Sequence, residues 1–159
     1  MADKRVWLLN PCLNKSRSKM DLFSKLREMK ILLIDDDEWI RDSLCLFFEG
    51  EGCHLLAFET AEEAMEELKR QPYDIIITDY KLPGIDGLEF LKRIQKPFPD
   101  AMKILISAYG SDEVVAEAIK NGIHDFIEKP FKTETIEKAL IRIIEKRESK
   151  LAPKKRWLK

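Results

Sequence analysis

From Lys30 onward, short apolar runs alternate with stretches of helical spacing. Ile31-Leu32-Leu33-Ile34 is closed by three acids, and such a run predicts a strand buried on both faces. Glu38 to Glu49 then carries Trp39, Ile40, Leu44, Phe47 and Phe48 at helical intervals, with Gly50 and Gly52 ending the helix. His54–Phe58 reads as a second strand. Thr60 followed by Glu63 is a capping box for a helix whose apolar face is Ala61, Ala64, Met65 and Leu68. After Pro72, Ile75-Ile76-Ile77-Thr78-Asp79 predicts a third buried strand, and Leu82–Gly87 a loop rich in turn residues. Leu88, Leu91 and Ile94 mark the next helix, and Met102–Ser107 the fourth strand. Val114, Val115, Ala118 and Ile119 mark a helix closed by Asn121-Gly122, and Asp125–Glu128 a short fifth strand. Ile136, Leu140, Ile141, Ile143 and Ile144 line a last helix.

Five strands alternating with five helices predict an α/β fold: a doubly wound, five-stranded parallel sheet with helices on both faces. The favoured strand order is 2-1-3-4-5 with right-handed crossovers. Ligands of such sheets bind beyond the carboxyl ends of the strands. Strand one ends in Asp35-Asp36-Asp37, strand three in Asp79, strand four in Ser107 and strand five in Lys129. This order puts Asp79 at the centre, with Asp35 and Asp36 on one side and Ser107 and Lys129 on the other. Asp37 reads as the cap of the helix that follows it.

The chemistry of that edge follows from its residue types. Clustered carboxylates repel and need a cation or a raised pKa. Mg²⁺ prefers oxygen ligands and commonly uses one or two carboxylates together with phosphate oxygens. A carboxylate can itself attack phosphorus to give an aspartyl phosphate. A metal on one side, a Lys ammonium on the other and a hydroxyl donor then neutralise the spread charge of the transfer.

Composition refines this picture. The chain has 159 residues, 36% of them charged, with a net charge of −1. That balance gives no whole-protein reason to expect a nucleic-acid or membrane partner. Residues 1–29 hold seven basic and three acidic side chains, residues 150–159 five basic and none acidic, and residues 30–149 sixteen basic and 26 acidic. The chain therefore divides into an N-terminal extension (1–29), a central domain (30–148) and a basic tail (149–159). In the extension, Leu22, Phe23 and Leu26 suggest a short helix within Met20–Met29. The stretch before it, with Pro11, Asn14 and several Ser, Lys and Arg, reads as loop or disorder.

Cys12, Cys45 and Cys53 lack metal-ligand spacing and read as reduced thiols, Cys45 and Cys53 packed as small apolar residues. With only His54 and His124 available, a His-based metal site is disfavoured, and both read as surface or strand-end residues. Absence of a membrane-length apolar run or a signal-peptide pattern points to a cytoplasmic protein. Lys154-Lys155-Arg156 with Trp157 reads as a solvated tail rather than a nucleic-acid contact.

Ile31–Asp37, Thr78-Asp79, Leu82-Pro83-Gly84-Ile85-Asp86-Gly87, Ser107-Ala108-Tyr109-Gly110 and Lys129-Pro130-Phe131 together resemble the motif set of response-regulator receiver domains, the chemotaxis-Y-like family of two-component signalling. The resemblance covers about residues 30–148. It is closest to receivers that precede sigma-54 activator modules or stand alone. It implies that Asp79 is the phosphoacceptor for a histidine kinase or histidine phosphotransfer protein, with Mg²⁺ as cofactor. Asp36 would bind the metal directly, Asp35 would hold a metal-bound water, and the Lys81 backbone carbonyl would be a further ligand beside Asp79. Ser107 and Lys129 would contact the phosphoryl group, and a cis bond would join Lys129 to Pro130. Phe126 takes the place of the aromatic switch residue, without a hydroxyl. Activation would then reshape the face made by the helix at Val114–Ile119, the fifth strand and the last helix, where a partner or a second copy would bind. The chain would be a phosphoacceptor acting in its own phosphorylation and dephosphorylation, not an enzyme.

Two other readings compete. Asp35-x-Asp37 also resembles the nucleophile loop of haloacid-dehalogenase-type phosphatases, although no later Asp-Asp pair completes that site. The chain could also be the receiver of a transcription factor, but only about ten residues follow the last helix.

Overall fold

The computed structural model describes residues 11–108 and 110–151, with side chains from residue 19 onward. Expectations about residues 1–10 and 152–159, including the basic cluster Lys154–Arg156, lie outside the described residues. The order of elements is α1 (Pro11–Leu26), β1 (Lys30–Ile34), α2 (Glu38–Gly50), β2 (His54–Phe58), α3 (Ala61–Arg70), β3 (Ile75–Asp79), α4 (Gly87–Gln95), β4 (Met102–Ser107), α5 (Asp112–Lys120), β5 (Asp125–Glu128) and α6 (Thr133–Leu151). The strands form one sheet in the order β2-β1-β3-β4-β5. All four pairings are parallel. The expected α/β architecture and strand order are those observed.

Side chains alternate across a strand, so each of these apolar runs supplies two cores. Ile31, Leu33, Ile75, Ile77, Ile104 and Ile106 face α1, α2 and α6, where Leu22, Leu44, Phe48 and Leu140 cover them. Leu32, Ile34, Ile76 and Leu105 face α3, α4 and α5, packed against Ala64, Leu68, Phe90, Leu91 and Ala118. Because both faces of β1, β3 and β4 are buried, their carboxyl ends have a fixed height in the sheet. Asp79 pairs with Ile106 and Ser107 with Glu128, which places the chemical side chains along one edge.

The helix caps follow local chemistry. Asp37, Thr60, Asp86 and Ser111 each accept a backbone N–H of the first turn of α2, α3, α4 and α5 respectively. Asp37 is thus a cap, as its position suggests.

Three readings are corrected. Helix α1 begins at Pro11, over a stretch read as loop or disorder; Pro suits the first turn of a helix, and no further Pro or Gly interrupts the segment. Trp39, counted in the apolar stripe of α2, is 82% exposed, because it lies on the helix face it shares with exposed Ser43 and Leu46, whereas Ile40, Leu44 and Phe48 face the core. Helix α6 continues to Leu151, so residues 149–151 are helical. Among the described residues no helix is long and apolar enough to cross a membrane.

Candidate functional site

Asp35, Asp36 and Asp79 converge at the carboxyl edge, each offering a carboxylate oxygen within 4.8 Å of the others. Asp35 is wholly buried and Asp79 is 5% exposed, whereas Asp36 faces solvent. Lys129 reaches across from the end of β5, its Nζ 3.0 Å from Oδ2 of Asp79 and 3.1 Å from Oδ2 of Asp35. With Asp79 it makes a hydrogen bond. The contact with Asp35 brings charges together without hydrogen-bond alignment, so that buried Oδ2 has no hydrogen-bond partner. A buried carboxylate oxygen held by an ion pair alone, beside two further carboxylates, suits a hard, oxygen-seeking cation such as Mg²⁺.

Burial drives the carboxyl group of Asp35 up to about 6; the neighbouring Asp79 charge adds to this, and the N–H of Asp37 and the Lys129 ammonium oppose it. For Lys129, burial works against the charged form. The hydrogen bond to Asp79 and the charges of Asp35 and Asp79 outweigh burial and hold its pKa above the usual lysine value. One ammonium therefore occupies the place between two crowded carboxylates where a divalent cation would compete.

The loop carrying Asp35 and Asp36 is braced on every side. The Asp35 N–H donates to the Phe58 carbonyl of β2 at 3.1 Å. Its Oδ1 accepts the N–H of Asp37 at 2.9 Å, and its carbonyl accepts Nη1 of Arg41 at 2.8 Å. On the other side, Ser107 is buried at the end of β4, and its carbonyl accepts the N–H of Lys129 at 2.8 Å. The Lys129–Pro130 bond is cis, as the resemblance implies. Lys81 lies in the loop between β3 and α4 with its side chain exposed. That loop is tied at its tip by Glu62 of α3, whose Oε1 accepts the N–H of Ile85 at 3.0 Å.

Phe126 is half-buried in β5, its ring against the loop that leads into α5; a Cβ on Gly110 would lie 3.2 Å from the ring. The structure therefore brings Asp35, Asp36, Asp79 and Lys129 into direct proximity and sets Ser107 at the next strand end. Arg41 and Glu62 were not singled out from sequence, since their roles depend on contacts that no local pattern encodes. The two histidines lie away from this edge: His54 is exposed at the start of β2, and Nδ1 of His124 accepts the N–H of Lys103 at 3.0 Å.

Comparison with known proteins agrees with the geometry. The family model for the response regulator receiver domain matches residues 31–141. The transcriptional regulatory protein FixJ of Bradyrhizobium diazoefficiens is 34% identical over 109 residues, which is 67% of this chain and 52% of FixJ. The chain thus spans about half the length of that curated relative. Among solved structures, the beryllofluoride-activated NtrC4 receiver domain dimer is 33% identical, with a TM-score of 0.69 over 74% of this chain and 97% of that one. The CheX-CheY-BeF3-Mg²⁺ complex from Borrelia burgdorferi is 26% identical, with a TM-score of 0.69 over 73% of this chain and 89% of that one. By its sheet order, its acidic edge and the extent of the family match, the chain belongs to the response regulator receiver domain family of two-component signalling.

Proposed function

We propose that Asp79 accepts a phosphoryl group from a histidine kinase or histidine phosphotransfer protein and that the chain relays this event to a partner in the cytoplasm. The observation that carries the proposal is the bridge of Lys129 between Asp79 and Asp35 at 3.0 and 3.1 Å, at the centre of three convergent carboxylates. An oxygen of Asp79 attacks the phosphorus of a phosphohistidine. The new P–O bond forms as the P–N bond breaks, and the departing imidazole nitrogen takes the electron pair and then a proton. Asp35, Asp36, Asp79 and the Lys81 carbonyl would hold a Mg²⁺ ion, which when bound supplies neutralisation of the phosphoryl oxygens. Lys129 pairs with the oxygens on the opposite side, and Ser107 donates a hydrogen bond to one of them.

Phosphorylation adds about −1.5 to −2 charges. Ser107 and Lys129 respond to that charge, and Phe126 carries the response to the α5-β5-α6 face, where an output partner or a second copy of the chain binds. Beryllofluoride mimics a phosphoryl group in shape and charge, and its occurrence with fold neighbours, once in a dimer and once with Mg²⁺, supports this reading. On this view the chain is a phosphoacceptor rather than an enzyme acting on external substrates. The role of Asp37 as a cap supports that over the phosphatase reading, which needs the same carboxylate as a mobile acid.

The test is incubation of wild type and Asp79→Asn with acetyl phosphate and Mg²⁺, followed by intact mass, peptide mapping and sizing. Wild type should gain one phosphoryl group at Asp79, and Asp79→Asn none. Labelling mapped to Asp35 would overturn the assignment.

A further inference from the structure

We propose that Arg41 is a positioning residue for the divalent-cation site, acting by clamping the peptide that joins Asp35 to Asp36; this rests on the reading of those two carboxylates as the cation's holders. Arg41 closes the first turn of α2, half-buried, and its Nη1 donates to the Asp35 carbonyl oxygen at 2.8 Å. That carbonyl belongs to the peptide unit between the two acids. Its plane sets where the Cα and side chain of Asp36 stand relative to Asp35, because a peptide has no internal freedom of rotation.

One other constraint on the loop spans this peptide, and the rest stop short of it. The N–H of Asp35 is held by Phe58 of the neighbouring strand, on the far side of the Asp35 Cα. The side chain of Asp35 is held by the N–H of Asp37. Asp37 in turn spends its carboxylate on the N–H of Trp39. The bond from Asp37 to the Asp35 side chain bridges the Asp35–Asp36 peptide, and Arg41 adds a contact on its carbonyl oxygen itself, opposing rotation about ψ of Asp35 and φ of Asp36. Asp36 is solvent-facing, so without that contact water can solvate the carbonyl in other orientations. The partners of metal ligands commonly fix ligand orientation in this way.

A bystander role and a positioning role predict opposite signs. As a mere positive charge near the site, Arg41 repels a divalent cation, and its removal should tighten binding. As a clamp, its removal lets the carboxylates spread, and binding should weaken.

The experiment is calorimetric titration of Mg²⁺ into wild type, Arg41→Met, Arg41→Lys and Asp36→Asn, each with a thermal melt in Mg²⁺-free buffer. Arg41→Met should bind Mg²⁺ about tenfold more weakly, the lower end of what loss of such a partner costs, with its Mg²⁺-free melting temperature close to wild type. Arg41→Lys keeps the charge but loses the reach of the guanidinium. It should be weaker than wild type and stronger than Arg41→Met, and it decides the matter if Arg41→Met does not fold. Unchanged or tighter binding in both Arg41 variants, with Asp36→Asn deficient, overturns the clamp and leaves the site intact. Full binding by Asp36→Asn overturns the site itself.

Discussion

Gly87, the first residue of α4, lies directly against the backbone carbonyl of Asp79. A Cβ placed on Gly87 would overlap the carbonyl oxygen and would stand 2.9 Å from the carbonyl carbon. The N–H of Gly87 also donates to the Tyr80 carbonyl at 2.8 Å, closing the loop that leaves β3. The missing side chain therefore lets α4 start beneath the central carboxylate, and it ties the height of that carboxylate to the packing of Leu88, Phe90 and Leu91.

Substituting this glycine should harm both the fold and the site. Gly87→Ala forces α4 away from Asp79 and should cost about 1–3 kcal/mol of unfolding free energy, the range for overpacking a well-filled interior. Urea denaturation measures the loss, and acetyl-phosphate labelling should be slower in the variant. Wild-type stability and labelling would show that α4 moves aside freely.

Lys129 presents a sharper separation of effects. Its ammonium lies within 3.1 Å of both Asp35 and Asp79, where a divalent cation would also be held. Lys129→Met removes that competitor, so Mg²⁺ should bind more tightly, by about tenfold or 1.4 kcal/mol. The same change removes the proposed partner of the incoming phosphoryl oxygens, so labelling by acetyl phosphate should fall. Calorimetry and intact mass report the two effects separately. Weaker Mg²⁺ binding would mean that Lys129 organises the carboxylates more than it competes for them.

The sheet and its acidic edge were legible because burial on both faces demands uninterrupted apolar runs, and Ile75–Ile77 and Leu32–Ile34 are such runs. Their ends are equally visible, since Asp35, Asp79 and Ser107 break the apolar pattern where the strands stop. Other features depend on contacts between distant segments. Lys103 interrupts the apolar β4 yet is only 2% exposed, its ammonium donating to the Phe98 and Ala101 carbonyls near the start of the strand. Arg41 and Glu62 look like ordinary polar helix residues until the fold brings the loops of the site beside them. Trp39 shows the opposite failure: it is apolar, but it stands one position off the Ile40–Leu44–Phe48 stripe, on the face of Ser43 and Leu46 that solvent covers.

His124 should make stability depend on pH. Burial lowers its pKa, as do the charges of Lys103, Lys150, Lys146 and Arg147. The neutral form is thus favoured in the folded chain, where Nδ1 accepts the Lys103 N–H. The unfolded chain binds the proton more readily, so this contribution is fully present above the ordinary histidine pKa and is lost as pH falls from there through the lowered folded-state pKa. His124→Asn retains an acceptor for the Lys103 N–H but does not titrate. Unfolding free energies between about pH 7 and pH 5 should fall less steeply in the variant. Parallel slopes would assign the pH dependence to the carboxylates alone.

Helix α1 precedes the region matched by the family model, yet it contributes to the same core. Leu22, Phe23 and Leu26 are buried against α2 and α6, and Phe23 meets Phe47 edge-on with ring centroids 5.8 Å apart. Lys19 pairs with Glu137 at 3.3 Å and Lys25 with Glu148 at 2.9 Å, but such ion pairs near the surface add little. The apolar contacts should therefore dominate. Phe23→Ala opens a cavity under Phe47 and should cost about 3–5 kcal/mol, whereas Lys25→Ala should cost under about 1 kcal/mol. Denaturant titration of the two variants checks the contrast. A small effect of Phe23→Ala would show that α1 rests on the domain without stabilising it.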